Sequence, residues 1–152
     1  MPASARAEVM LRYRSEGGTD VVCPLEDADA DLVAIGQPVR TPGSYARQRH
    51  YSGLFWSATT GAHIVYESLL ELSWLWLADF DRSVTRIAAQ PFELVGEDSG
   101  RKRTRFPDFL SLSSDGVEIV DVKAPALLKQ PGGLLHGWVT VDLRRRVRPE
   151  GC

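Results

Sequence analysis

The apolar residues of the stretch 61–80 recur at helical spacing, and this pattern constrains the fold more than any other feature of the sequence. The main positions are Val65, Leu69, Leu72 and Trp76. Further apolar residues widen this stripe to the breadth that a helix needs in order to pack against a larger layer. We therefore predict an amphipathic helix within this stretch that ends near residues 79–81.

Three segments after this helix have the composition of β-strands. They are 84–94 (with Pro91 at an edge or bulge), 103–111 and 117–122. The run Ser113-Ser114-Asp115-Gly116 is typical of a hairpin turn. Two short strands, 9–13 and 20–23, and an extended arm, 37–53, precede the helix. The sequence thus predicts an α/β protein in which a helix packs on a sheet.

Composition excludes several classes of protein. The chain has 152 residues, 43% of them hydrophobic, which suits one globular domain. A net charge of −2 argues against non-specific coating of nucleic acid. The sequence has no apolar run long enough for a membrane span, and its first residues do not resemble a secretory signal. With only Cys23 and Cys152 as cysteines, we expect unpaired thiols and a cytoplasmic protein.

The acidic residues of the last two predicted strands suggest a metal site. Asp108 follows Pro107 among apolar residues, and Asp121 and Lys123 lie two positions apart, on one face of a strand. The hairpin should bring the two carboxylates together, where they repel each other unless a cation binds between them. Carboxylate oxygens are the ligands that Mg²⁺ prefers, and a nearby lysine can activate water or offset phosphate charge.

Glu67 and Glu71 are four residues apart and share one face of the predicted helix. Either could reach the same metal if the helix packs against the sheet. Both also fit the exposed surface of an amphipathic helix, so the helix alone leaves this choice open.

Basic residues cluster within 40–49, 101–105 and 144–148. Any one of these clusters can be ordinary solvated surface. The cluster 101–105 directly precedes the strand with Asp108, so its side chains could instead hold DNA phosphates near the metal.

The stretch 51–125 resembles a known family. The matching segments are Trp56-Ser57-Ala58-Thr59-Thr60-Gly61, Tyr66-Glu67-Ser68-Leu69-Leu70-Glu71, Ala78-Asp79-Phe80-Asp81, Ala89-Gln90-Pro91-Phe92, Pro107-Asp108-Phe109 and Asp121-Val122-Lys123. Asp108 with the Asp-Val-Lys run resembles the motif of PD-(D/E)XK nucleases, which share the restriction-endonuclease-like fold. The order and spacing of the whole set are similar to those of TnsA-like endonucleases, subunits of heteromeric bacterial transposases.

This resemblance implies a restriction-endonuclease-like core with a mixed β-sheet, flanked by a helix that carries Glu71. It also implies roles for four residues: Glu71, Asp108 and Asp121 as ligands of Mg²⁺ (or Mn²⁺) and Lys123 as the catalytic lysine. Glu67 matches a family position of less certain role, and Gln90 would support the site. The implied activity is hydrolysis of the DNA strand at the 5′ ends of a transposon.

The implied partners are double-stranded DNA at transposon ends, a DDE-type transposase subunit and a regulatory ATPase. We expect three regions: N-terminal strands and a basic arm (1–50), the nuclease core (51–128) and an irregular tail (129–152). Members of this fold usually continue beyond the lysine with a helix and further strands, so we expect a truncated C-terminal part. Two alternatives stay open: a non-catalytic DNA- or transposase-binding relic, and another PD-(D/E)XK nuclease that acts in defence or repair.

Overall fold

The computed structural model of the chain describes residues 8–40, residues 52–122 and the backbone course of residues 138–143. In chain order, the elements within these ranges are β1 (Met10–Arg14), β2 (Asp20–Pro24), a 3-10 helix (Leu25–Asp27), α1 (Ala30–Ala34), β3 (Gly53–Ser57), β4 (Ala62–Tyr66), α2 (Leu69–Phe80), β5 (Val84–Ala89), β6 (Glu93–Asp98), β7 (Arg101–Arg105), β8 (Phe109–Ser113), β9 (Gly116–Val122) and β10 (Trp138–Leu143).

The strands form two four-stranded sheets and one hairpin. The central sheet has the order β10-β9-β8-β5, the outer sheet has the order β2-β1-β6-β7, and β3 pairs with β4. The combination of helices and sheets agrees with the predicted α/β class. Every pair that the described strands form is antiparallel, so the parallel pair that the predicted mixed sheet requires is not found among them.

Two hydrophobic clusters, one on each face of the central sheet, arrange these elements in layers. On one face, the outer sheet and α1 contribute Leu11, Tyr13 and Val33, which pack with Leu110 and Ile119. On the other face, α2 and the β3–β4 hairpin pack against the sheet, and the members of this cluster include Phe55, Ile64, Trp74, Leu75, Ile87, Phe109 and Val120. Burial on both faces explains why β8 is buried at nearly every position.

The predicted helix begins later than the apolar spacing suggests. Residues 62–66 form β4 instead, and Ser68 caps α2 by accepting a hydrogen bond from the Glu71 N–H (3.1 Å). The run His63-Ile64-Val65-Tyr66 is rich in β-branched and aromatic residues, which favour a strand. Gly61, with φ at 71°, reverses the chain between β3 and β4 at little conformational cost.

The predicted strand 84–94 is wrong, because it divides into β5 and the beginning of β6. Between them, Gln90 has a left-handed φ of 46° and Pro91 lacks an N–H for the strand ladder. The chain there leaves the central sheet, and β6 pairs with β1 in the outer sheet.

The predicted strand 103–111 is also wrong, since β7 ends at Arg105 and β8 begins at Phe109. Pro107 interrupts the strand, and the two strands belong to different sheets. Strand β9 and the hairpin turn before it agree with the prediction.

The N-terminal strands lie where the sequence predicts them, within one residue at each end. Most of the predicted arm, residues 41–51, lies outside the described residues. In the predicted tail, 138–143 form β10, which pairs with β9. Among the described residues, no helix has the length and apolar character that a membrane crossing requires.

Candidate active site

Glu71 occupies the third position of α2, directly above the central sheet. Its side chain is 6% exposed. The carboxylate accepts hydrogen bonds from the Ser68 hydroxyl (3.0 Å) and, at 3.4 Å, from the Glu67 N–H. With the Ser68 cap these contacts resemble a capping box, so one residue both begins the helix and supplies a buried carboxylate.

Asp108 lies in the bend between Pro107 and β8, and its backbone is fixed on both sides. Its N–H donates to the Val120 carbonyl (3.0 Å), and its carbonyl accepts from the Gln90 N–H (2.8 Å). Its carboxylate accepts a hydrogen bond from the Val122 N–H at 2.8 Å. The side chain is therefore held at the end of β9, half-buried, where sequence reasoning placed it.

Asp121 lies beside Asp108 but turns toward the outer sheet. Phe109 pairs with Val120, so Asp108 and Asp121 continue the β8–β9 ladder by one position. Because side chains alternate along a strand, Asp121 lies on the same face as Ile119, whereas Val120 faces α2. On its face Asp121 forms an ion pair with Arg105 of β7.

The three carboxylates are coupled electrically. Burial, and then the charge of Asp108, raise the pKa of Glu71 to about 7. Burial is also the main cause that raises the pKa of Asp108 to about 6, with contributions from the charges of Asp121 and Glu67. The hydrogen bond from Val122 and the charge of Arg40 act in the opposite direction on Asp108. Such raised pKa values are typical of carboxyl groups that share one site.

Arg40 closes the other side of this cluster, and sequence reasoning did not single it out. Its guanidinium donates to both carboxylate oxygens of Glu67 (3.4 Å each) and to Oε1 of Gln90 (3.3 Å), and it lies 5.4 Å from the ring centroid of Phe106. The only sequence signal for this residue is its place at the beginning of a basic cluster. Gln90, 2% exposed, supports both Arg40 and the Asp108 backbone, which agrees with its expected supporting position.

The donor chemistry of this cluster suits a hard divalent cation, but the observed placement does not gather the donors fully. Within residues 8–40 and 52–122, no group of three or more His, Cys, Asp or Glu side chains is placed to hold a metal ion. The reason is geometric, since Asp121 and Glu67 each pair with an arginine and Asp121 faces away from α2. Lys123 lies outside the described residues.

Other residues of the sequence motifs form a structural clasp. The Ser57 hydroxyl donates to Asp79 (2.6 Å), and the N–H groups of Ala58 and Thr59 also donate to this carboxylate (3.3 and 3.1 Å). These bonds lower the pKa of Asp79 although its partial burial acts against them. They tie the turn of the β3–β4 hairpin to the end of α2, so these residues hold the helix in place rather than supply chemistry.

The arrangement as a whole is a set of coupled carboxylates, framed by Arg40 on one side and Arg105 on the other. It can bind a cation through the carboxylates and an anionic group such as a phosphate through the arginines. Comparison of the chain with protein-family models, curated proteins and solved structures finds no match in any of the three.

Proposed function

We propose that this chain is a Mg²⁺-dependent DNA endonuclease with a restriction-endonuclease-like core. The observation that carries the proposal is the coupling of Glu71 with Asp108, two carboxylates from separate elements whose pKa values rise partly because each lies near other carboxylates. Crowded carboxylates cost stability unless a cation or a proton joins them. Their cost is therefore better explained by function than by packing.

The order of the elements also supports this proposal. A helix with an acidic residue in its first turn is followed by the antiparallel meander of β5, β8 and β9. The Pro-Asp pair precedes the middle strand of this meander, and the Asp-Val-Lys run ends the last. This agrees with the arrangement that the PD-(D/E)XK resemblance implies for the catalytic residues.

Each proposed site residue has a distinct task. Glu71, Asp108 and Asp121 would hold the cation, which supplies positive charge to polarise the phosphate and acidify water. Asp121 must exchange its ion pair with Arg105 to take part. Lys123 would assist the attack by orienting water or offsetting phosphate charge, and hydrolysis would leave a 5′-phosphate and a 3′-hydroxyl.

The finer proposal is that the chain cuts the strand at the 5′ ends of a transposon, beside a DDE-type transposase subunit. The segments in 51–125 that are similar to TnsA-like endonucleases support it, and so does the clasp that joins two of those segments, Ser57 with Asp79. A transposase partner and a regulatory ATPase follow from the same resemblance.

Replacement of Asp108 tests the proposal. Asp108→Ala should reduce metal-dependent cleavage of transposon-end DNA to the background level, because the variant lacks the carboxylate common to the whole cluster. Cleavage is measured on labelled duplexes with Mg²⁺ or Mn²⁺, in the presence of the transposase partner, and circular dichroism confirms that the variant is folded. Asp115→Ala, in the exposed turn between β8 and β9, is the matched control and should cleave like the wild type.

Metal-dependent cleavage by a folded Asp108→Ala variant would contradict the proposed mechanism. One observation favours the alternative of a non-catalytic DNA- or transposase-binding chain: the pairing of Asp121 with Arg105. A folded wild type that binds transposon ends but cleaves no DNA with either metal would support that alternative. Equal cleavage of DNA with and without transposon ends would instead favour a nuclease of defence or repair.

A further inference from the structure

Strand β7 is the most basic and the most exposed strand whose side chains the structure describes. All five of its residues are exposed, and four are basic: Arg101, Lys102, Arg103 and Arg105. It forms one edge of the outer sheet, where its only strand neighbour in the described chain is β6. This local charge contrasts with the net charge of −2 for the whole chain.

The alternation of side chains divides β7 into two faces. Arg105 pairs in register with Leu94, which packs against the core between the two sheets. Arg101 and Arg103 share this inward side with Arg105, because they lie four and two positions from it. Lys102 pairs with Glu97 and lies on the opposite side of the sheet.

The arginine row ends at the candidate active site. Arg105 forms the ion pair with Asp121, so the row begins at the carboxylate cluster and leads away from it along β7. Residues two positions apart in a strand are about 6.6 Å apart, which is close to the separation of consecutive phosphates along a nucleic-acid strand. A row of three arginines thus matches the repeat of a sugar-phosphate backbone.

We propose that β7 is the surface that binds the DNA backbone next to the active site, with Arg105 placing one phosphate at the carboxylate cluster. Arg105 contacts Asp121 when no DNA is bound and exchanges this carboxylate for the phosphate, since a guanidinium binds both groups through the same paired N–H donors. Arg101 and Arg103 hold the phosphates that follow. The assignment rests on the proposed nuclease function and adds the path of its substrate.

Binding of DNA without metal tests this surface separately from cleavage. Fluorescence anisotropy of a labelled DNA duplex in EDTA gives the affinity of the wild type and of the double variant Arg101→Gln/Arg103→Gln. At 0.1 M salt each lost phosphate contact should weaken binding roughly eightfold relative to 1 M salt, and the slope of log K against log salt should fall by about 0.9 per contact. Both residues are exposed, so the variant should fold.

Two single variants are matched controls for the same loss of charge. Lys102→Gln changes the opposite side of β7, and Arg82→Gln changes an exposed residue in the turn after α2. Both should bind DNA like the wild type. Unchanged binding by the double variant, an equal loss in the Lys102 variant, or no DNA binding by the wild type would overturn the proposal.

Arg105→Gln tests the proposed exchange at the site. Cleavage should fall because the phosphate is no longer placed, while wild-type binding of Mn²⁺ without DNA should persist or strengthen as Asp121 is released. Weaker Mn²⁺ binding by a folded Arg105→Gln variant would overturn the exchange. DNA binding through β7 by a chain that never cleaves would reject the nuclease function but keep the surface, whereas cleavage with unchanged binding in the double variant would do the reverse.

Discussion

Glu71 shows how a single residue can serve both the fold and the candidate site. Its position at the first turn of α2 favours a carboxylate, because the N-terminal end of a helix is partly positive. Its burial beside Asp108 has the opposite effect and raises its pKa to about 7. A proton or a cation is therefore needed to make this residue comfortable in its surroundings, and near neutral pH the two compete.

The stability of the fold should accordingly depend on Glu71 and pH. Because the pKa of this carboxyl rises from 4.5 to about 7 on folding, the folded state keeps a proton that the unfolded state loses. Stability should thus decrease as pH rises through this interval, by at most about 1.4 kcal/mol per pH unit for one proton. In Glu71→Gln this contribution should vanish. Urea denaturation between pH 4 and 8 measures it, with the exposed Glu16→Gln variant as control; the same pH profile in all three proteins would contradict the account.

The sequence could identify carboxylates of the site but not their partners. Asp108, Asp121 and Glu71 carry local signals, namely a Pro-Asp pair, an i, i+2 spacing in a strand and an acidic first turn of a helix. Arg40 and Arg105 lie 27 and 16 residues from the carboxylates they pair with. Such contacts depend on how separate elements meet, so no local pattern reveals them.

At the scale of elements, the type of each long segment could be predicted, but several boundaries could not. The apolar spacing of α2 continues upstream into β4, where strand and helix periods coincide over a few residues, and the cap at Ser68 decides where the helix begins. Pro91 and Pro107 were read as irregularities within strands. In the structure each precedes the strand of a different sheet from the one before it.

The cap of α2 provides a test at this scale. Ser68→Ala removes the hydroxyl that accepts from the Glu71 N–H and donates to the Glu71 carboxylate. We expect a loss of about 1 kcal/mol in the free energy of unfolding, the usual value for a lost N-cap. Ser73→Ala, in the same helix, removes only an exposed hydroxyl bonded to the Leu69 carbonyl and should be nearly neutral. Equal unfolding free energies for both variants by urea denaturation would refute the role of the cap.

At the scale of the whole molecule, the layers bring the site together. The central sheet supplies Asp108 and Asp121, α2 supplies Glu71 from one side, and β7 of the outer sheet supplies Arg105 from the other. The α/β class was predictable from the helix and the strands. The division into two sheets was not, because it depends on the pairing of β1 with β6, more than eighty residues apart in the chain.

Calorimetric titration of the chain with Mg²⁺ and Mn²⁺ tests the central claim, that the carboxylate cluster is a cation site. The titration is done near pH 8, above the pKa values of Glu71 and Asp108, so that both are charged. The wild type and the control Asp115→Asn should bind the ions, and a folded Asp108→Asn variant should not. Binding that is unchanged in Asp108→Asn, or absent from a folded wild type, would contradict the account.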